Sequence, residues 1–216
     1  MPPLASRSSS PDPASARRSD LSFIDDWEFS YATEQAAGLG AQHIRYGNDS
    51  EEFISAARDS EANGYLVLAS EYLGSAVNIT DSASDWAEYA RLLLAAADST
   101  GDQQRAYIER SQYAAMNAYL RASDPAVQHT ILVTLGQALE RLERGTDTVK
   151  ALRLAQSLQP RDDTALYLES VAAQYGFRII DTLVQSDLAR PRICAVFSDT
   201  LDPKITDFTP YVSAPD

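Results

Sequence analysis

The chain has 216 residues, 44% hydrophobic and 23% charged, enough to bury the core of one large domain or of one domain with smaller pieces. Its net charge of -13 repels phosphate and argues against nucleic-acid binding through a basic patch. The single cysteine, Cys194, permits neither an internal disulfide nor a four-thiolate zinc site, and no apolar run reaches the ~20 residues of a membrane helix.

Residues 1–20 are rich in Ser, Pro and Arg and lack the apolar stretch of a signal peptide. They read as a disordered tail, or as non-native sequence if the start of translation is misassigned. Residues 21–48 form an irregular lead-in with a short helix around Asp25–Ala37, because Gly38, Gly40 and Gly47 interrupt the pattern.

From Asp49 the helical signals are regular. Ser50 before Glu51-Glu52 predicts an N-cap with acids in the first turn, followed by Phe53, Ile54 and Ala57 at helical spacing. A second helix carries Tyr65, Leu66, Ala69, Leu73 and Ala76 and ends near Asn78. Ser82 or Ser84 caps a third, with Trp86, Tyr89, Ala90, Leu93 and Ala97, which stops at Ser99-Thr100-Gly101-Asp102. A fourth spans about Gln103–Ala122, and Asp124-Pro125 opens a fifth that runs to about Arg144, where Gly145 ends it. Asp147–Leu158 and a last helix to about Gln174, capped by Asp162 or Asp163, complete the series. Seven helices of ~12–20 residues with short connections predict antiparallel helix pairs, a helical-repeat domain over residues 49–176.

The pairs carry a repeat signal. Leu135-Gly136, Leu139, Leu152, Ala155 and Pro160 stand at the offsets of a tetratricopeptide unit: a small residue for close helix approach, large ones for the groove between helices, a proline to end the unit. Glu143 stands where the unit's inter-helix glycine belongs, Thr148 where alanine belongs, and Gly145 comes two residues late. Upstream, Trp86, Tyr89, Ala90 and Leu93 match a first helix, and Ala115, Tyr119 and Ala122 its partner after a short insertion. The expected class is mainly α, with two or three degenerate tetratricopeptide-like repeats; an irregular helical bundle is the alternative, since these positions mostly encode packing.

After Gly176 the alphabet changes. Phe177–Ile180 is short and β-branched, and Pro191–Ser198 reads as an apolar strand, with a loop and a further short strand over Leu201–Val212. Two strands form a marginal sheet, so residues 177–216 read as the start of an incomplete β domain or as a hairpin packed back on the helices.

The segment PRICAVFSDTLDPKITDFTPYVSAPD resembles the start of the first macroglobulin-type or Ig-like β domain of bacterial alpha-2-macroglobulin family proteins, with Arg192, Cys194, Phe197-Ser198, Leu201 and Asp207-Phe208-x-Pro-Tyr211-Val212 as the matching features. In one branch of that family a helical repeat precedes this strand. The resemblance implies an N-terminal fragment of an extracytoplasmic, broad-spectrum protease trap, whose protein partners are its own further domains or, indirectly, a protease. It also implies a thioester built on Cys-Gly-Glu-Gln. Cys194 stands in Ile-Cys-Ala-Val, so it is not that cysteine and reads as a small buried strand residue. The alternative is a free-standing tetratricopeptide-like adaptor, cytoplasmic because the chain shows no signal peptide.

No catalytic, metal or cofactor residues are expected. His43 in a loop-like stretch and His129 near a helix start have no neighbouring G-x-S-x-G. Asp25-Asp26, Glu51-Glu52 and Asp162-Asp163 fall at helix starts, where they complement the helix dipole. Gly38-Leu39-Gly40 is too short for a phosphate loop, and Asn78-Ile79-Thr80 reads as a helix-ending turn.

Overall fold

The computed structural model describes residues 13–43, 49–176, 179–185 and 192–198, with Leu201 and Asp207. Among these, the chain is mainly helical, with a two-stranded antiparallel sheet near its C-terminal end. The helices are α1 (Pro13–Asp20), α2 (Asp26–His43), α3 (Ser50–Ala62), α4 (Leu66–Thr80), α5 (Ala83–Ala96), α6 (Gln104–Arg121), α7 (Pro125–Arg141), α8 (Gly145–Leu158) and α9 (Asp162–Tyr175).

The caps explain where the helices start. Asp49, rather than Ser50, caps α3 by accepting the Glu52 N–H at 2.9 Å. Ser82 caps α5 by accepting from the Asp85 N–H, and its hydroxyl donates back to the Asp85 carboxylate at 2.7 Å. Asp124 accepts from Ala126 and Val127 at the start of α7, with Pro125 in the first turn. Neither Asp162 nor Asp163 occupies the cap of α9, which is Arg161. There the Gln156 amide does the work, donating to the Arg161 carbonyl at 2.6 Å and accepting from its N–H at 2.9 Å. The insertion between α5 and α6 is two 3-10 turns, Ala97–Ser99 and Gly101–Gln103, with Gly101 at φ +57°.

Consecutive helices from α3 to α9 pack on one another, and α5 also touches α7. The core runs through the whole stack: Phe53, Leu73, Leu93, Tyr119, Leu135 and Leu139 are all buried. Among the described residues its buried side-chain polar groups are satisfied, except the hydroxyl of Thr80 at the end of α4. The buried His129 bridges three helices, with Nδ1 3.0 Å from the Ala155 carbonyl on α8 and Nε2 3.0 Å from the Thr164 hydroxyl on α9. A carbonyl only accepts, so Nδ1 carries the proton.

Other expectations need correction as well. Residues 13–20, expected as part of a disordered tail, form α1. The helix is anchored by Arg17, whose Nε donates to the Leu120 carbonyl at 2.7 Å, and by Arg18, whose guanidinium lies 3.5 Å over the Phe29 ring and pairs with Asp26. The helix around Asp25–Ala37 continues to His43, through Gly38 and Gly40, so His43 is helical; the side chains of residues 40–43 lie outside the described ones. A mid-helix glycine costs only about 1 kcal/mol, and α2 packs on α4 and α6 with Phe29, Ala32 and Leu39 buried. Gly145 does not end α7: it opens α8, and α7 ends at Arg141 with Leu142 as its C-cap.

Strands β1 (Ile179–Gln185) and β2 (Arg192–Phe197) pair in the register Leu183 to Cys194 and Val184 to Ile193, with an irregularity between Ile179 and Asp181. Cys194, expected to be buried, is only half-buried, because a two-stranded sheet has no layer to cover it. The further strand expected over Leu201–Val212 falls outside the described residues, apart from Leu201 and Asp207.

Candidate interaction groove

The residues that carry the repeat signal are packing residues. Trp86, Tyr89, Ala90 and Leu93 on α5, Ala115 and Tyr119 on α6, Ala122, Leu135 and Leu139, and Leu152 and Ala155 on α8 are all buried; Pro160 is exposed at the turn before α9. The structure joins several of them. Trp86 and Tyr89 meet edge to face at 6.1 Å between centroids. A Cβ on Gly136 would stand 3.3 Å from Leu152 Cδ2, so the small residue on α7 makes room for the large one on α8. Burial pushes the Tyr89 phenol up to about 12. Tyr119 is also raised, by burial and then by its 3.0 Å bond to Asp20.

The departures from the repeat have local explanations. Glu143, at the position of the missing glycine, has φ +64°. Thr148 is fully buried, but its hydroxyl lies 3.1 Å from the Arg144 carbonyl, so the extra polar atom is satisfied. Gly145 answers a different need: a Cβ there would stand 2.1 Å from Cγ of Tyr175, so only glycine lets α9 close on the start of α8.

What the packing residues leave open is a face formed by α3, α5, α7 and α9. A depression of about 270 Å³ lies between α3 and α5, lined by Ile54, Arg58, Glu61, Asp85, Glu88 and Leu92. A second, of about 510 Å³, is lined by Arg91, Leu94, Ala95 and Asp98, by Gln137, Glu140 and Arg141 of α7, and by Tyr167 of α9. Arg91 stands between them, donating to Glu61 Oε1 at 2.6 Å and to Glu88 Oε2 at 2.8 Å. The hydrogen bond it donates to Glu88, with that to Glu61, holds its guanidinium even more firmly charged than usual. Arg141 pairs with Asp98 and donates to the Leu94 carbonyl at 3.0 Å. The Tyr167 hydroxyl donates to Glu140 Oε2 at 2.5 Å; burial and that bond both raise its pKa.

These groove residues were not legible beforehand. Their one sequence signal is the charged pair Glu88 and Arg91, three apart on a helix; that α3, α7 and α9 stand beside α5 is a matter of tertiary packing.

Behind the groove, a buried charge cluster ties α2 to the α7–α8 turn. Glu28 is 4% exposed and accepts from Arg144 Nη1 at 2.6 Å and from Gln112 Nε2 at 2.8 Å, while Arg144 also holds Asp147 at 2.9 Å. Burial would lower the Arg144 pKa, but the bonds it donates to Glu28 and Asp147 outweigh it and leave it raised. Asn117 Nδ2 adds a 3.0 Å bond to the Ala32 carbonyl of α2. A single oxygen of this deeply buried carboxylate, Glu28 Oε1, takes both bonds from structural partners, an arrangement suited to fastening rather than to proton transfer.

Among the described residues no group of His, Cys, Asp and Glu is arranged to hold a metal ion, and no helix is long and apolar enough to cross a membrane. No protein-family model matches the chain, and no curated protein matches it.

Proposed function

We propose that this chain is a non-catalytic interaction and spacer module, in which a stack of helices presents one groove to a protein segment. The observation that supports this is the groove itself: two adjoining depressions on one face, with apolar side chains between charged ones, bordered by four successive odd-numbered helices. The tetratricopeptide-like reading of the pairs belongs to this proposal and rests on the spacing of Leu135, Gly136, Leu139, Leu152 and Ala155.

We further propose that the module is part of a bacterial alpha-2-macroglobulin-like protease inhibitor outside the cytoplasm. This reading rests on the resemblance of residues 191–216, and what supports it physically is the β1–β2 hairpin, whose exposed apolar side chains further strands would cover. A free-standing adaptor is the second reading, favoured by the groove alone. An immunoblot of fractionated host cells with antibody against residues 49–176 separates them. A band far larger than 23.6 kDa in the periplasmic or membrane fraction supports the inhibitor. A single band near 23.6 kDa in the cytoplasm sinks it and leaves the adaptor.

A further inference from the structure

We infer that the groove along α3, α5, α7 and α9 takes an extended segment bearing lysine or arginine side chains; this rests on the groove being a docking surface, as proposed above. Its walls carry the carboxylates of Glu61, Asp85, Glu88, Asp98 and Glu140 against the guanidinium groups of Arg58, Arg91 and Arg141. Two of those three cations are already engaged. Arg91 is shared between Glu61 and Glu88, and Arg141 holds Asp98 and the Leu94 carbonyl. The carboxylates are far from saturated. Each offers about four acceptor positions, and Glu140 meets only the Tyr167 hydroxyl among the described residues.

The groove therefore has acceptor capacity and negative charge left over, with little donor capacity. An acidic segment would have to break the Arg91 or Arg141 pairs, leaving their carboxylates buried beneath it. A cationic segment adds donors to oxygens that have room for them. Its backbone and aliphatic stems lie along Ile54, Ala95 and the Tyr167 ring, the apolar groups of the groove that keep exposed surface. The net charge of -13 attracts such a segment from a distance, so long-range attraction and local fit favour the same partner.

The test is fluorescence anisotropy on the full chain with a labelled alternating Lys-Ala peptide and its Glu-Ala counterpart, with circular dichroism melts to show that each variant folds. Asp98→Asn with Glu140→Gln removes charge inside the groove. Glu34→Gln with Glu109→Gln removes the same charge from α2 and α6, away from it, and likewise leaves one arginine, Arg105, without its partner. Ala95→Trp fills the larger depression without changing charge. The expected result is Lys-Ala binding weakened about tenfold by the groove pair, less than about twofold by the remote pair, and weakened also by Ala95→Trp. Equal weakening by the two charge pairs overturns the inference, because the attraction is then diffuse. Tighter binding of the Glu-Ala peptide, blocked by Ala95→Trp, overturns the charge class and leaves the docking surface standing. If neither peptide shows binding sensitive to Ala95→Trp, the docking surface falls and the inference with it.

Discussion

The helical stack and the C-terminal hairpin are both rich in apolar residues, yet they treat them in opposite ways. In α5 to α8, Leu93, Leu135, Leu139 and Leu152 are at most 1% exposed. In the hairpin, Ile180, Val184 and Ile193 are 57%, 69% and 73% exposed. The difference is one of layers. Each helix from α4 to α8 has neighbours on two sides, so its apolar stripe meets another stripe. Two paired strands satisfy each other's backbone along one edge, but neither covers a face of the other. Apolar content alone thus does not identify core; core requires a second surface in the right place.

The strongest way to test that contrast is Leu152→Ala. Leu152 is fully buried and packs against Gly136 on α7. Removing it leaves a cavity that the close α7–α8 contact cannot collapse, at a cost of about 3 kcal/mol. Urea melts followed by circular dichroism should show the loss, and a shift below about 1 kcal/mol would mean that this part of the stack repacks freely.

Glu28→Gln comes next in size. The substitution keeps the shape and the Gln112 contact but removes the charge facing Arg144, which retains Asp147. The expected loss is about 2 kcal/mol, below that of a fully buried pair because the Arg144 side chain keeps 26% of its exposure. Faster hydrogen exchange should be confined at first to α2. Exchange that rises uniformly would show that α2 is no separate fastening but part of one cooperative unit.

Legibility followed the same division between repeated and unrepeated contacts. The seven helices from α3 to α9 could be read because caps such as Ser82 and Asp124 coincide with apolar spacing, so two independent signals agree. The length of α2 could not, because Gly38 and Gly40 argue locally for a break and only its packing on α4 and α6 overrides them. The packing residues were visible as a pattern. The groove was not, since Arg91, Asp98, Glu140 and Tyr167 come together from three helices and a 3-10 turn through no shared period. Gly145 shows how a correct residue can carry the wrong reason: it serves the Tyr175 ring, while the left-handed turn falls on Glu143.

That turn yields a smaller prediction, on the stack side of the comparison. Glu143 is exposed and its φ of +64° strains a side chain that has no ion pair among the described residues. Glu143→Gly relieves that strain and should stabilise the chain by about 1 kcal/mol, a rise in Tm of about 2–4 °C. A fall in Tm would mean that the unfolded chain gains more freedom from glycine than the turn loses in strain.

The smallest expected effect tests the other side. Val184→Ala removes two methyl groups that are already in water, opposite Ile193 in the neighbouring strand. If the hairpin faces solvent, the substitution loses only a cross-strand contact, within about 0.5 kcal/mol, and the melt of the helices should not move. Under the inhibitor reading the same residue acquires a partner when further strands are present. The loss should then grow to about 1–2 kcal/mol in the longer protein, as for any valine cut back inside a core. An equal, negligible effect in both settings would detach the hairpin from any β domain and weaken the resemblance on which that reading rests. A large effect in this chain alone would place Val184 against the helices and remove the contrast between the two regions.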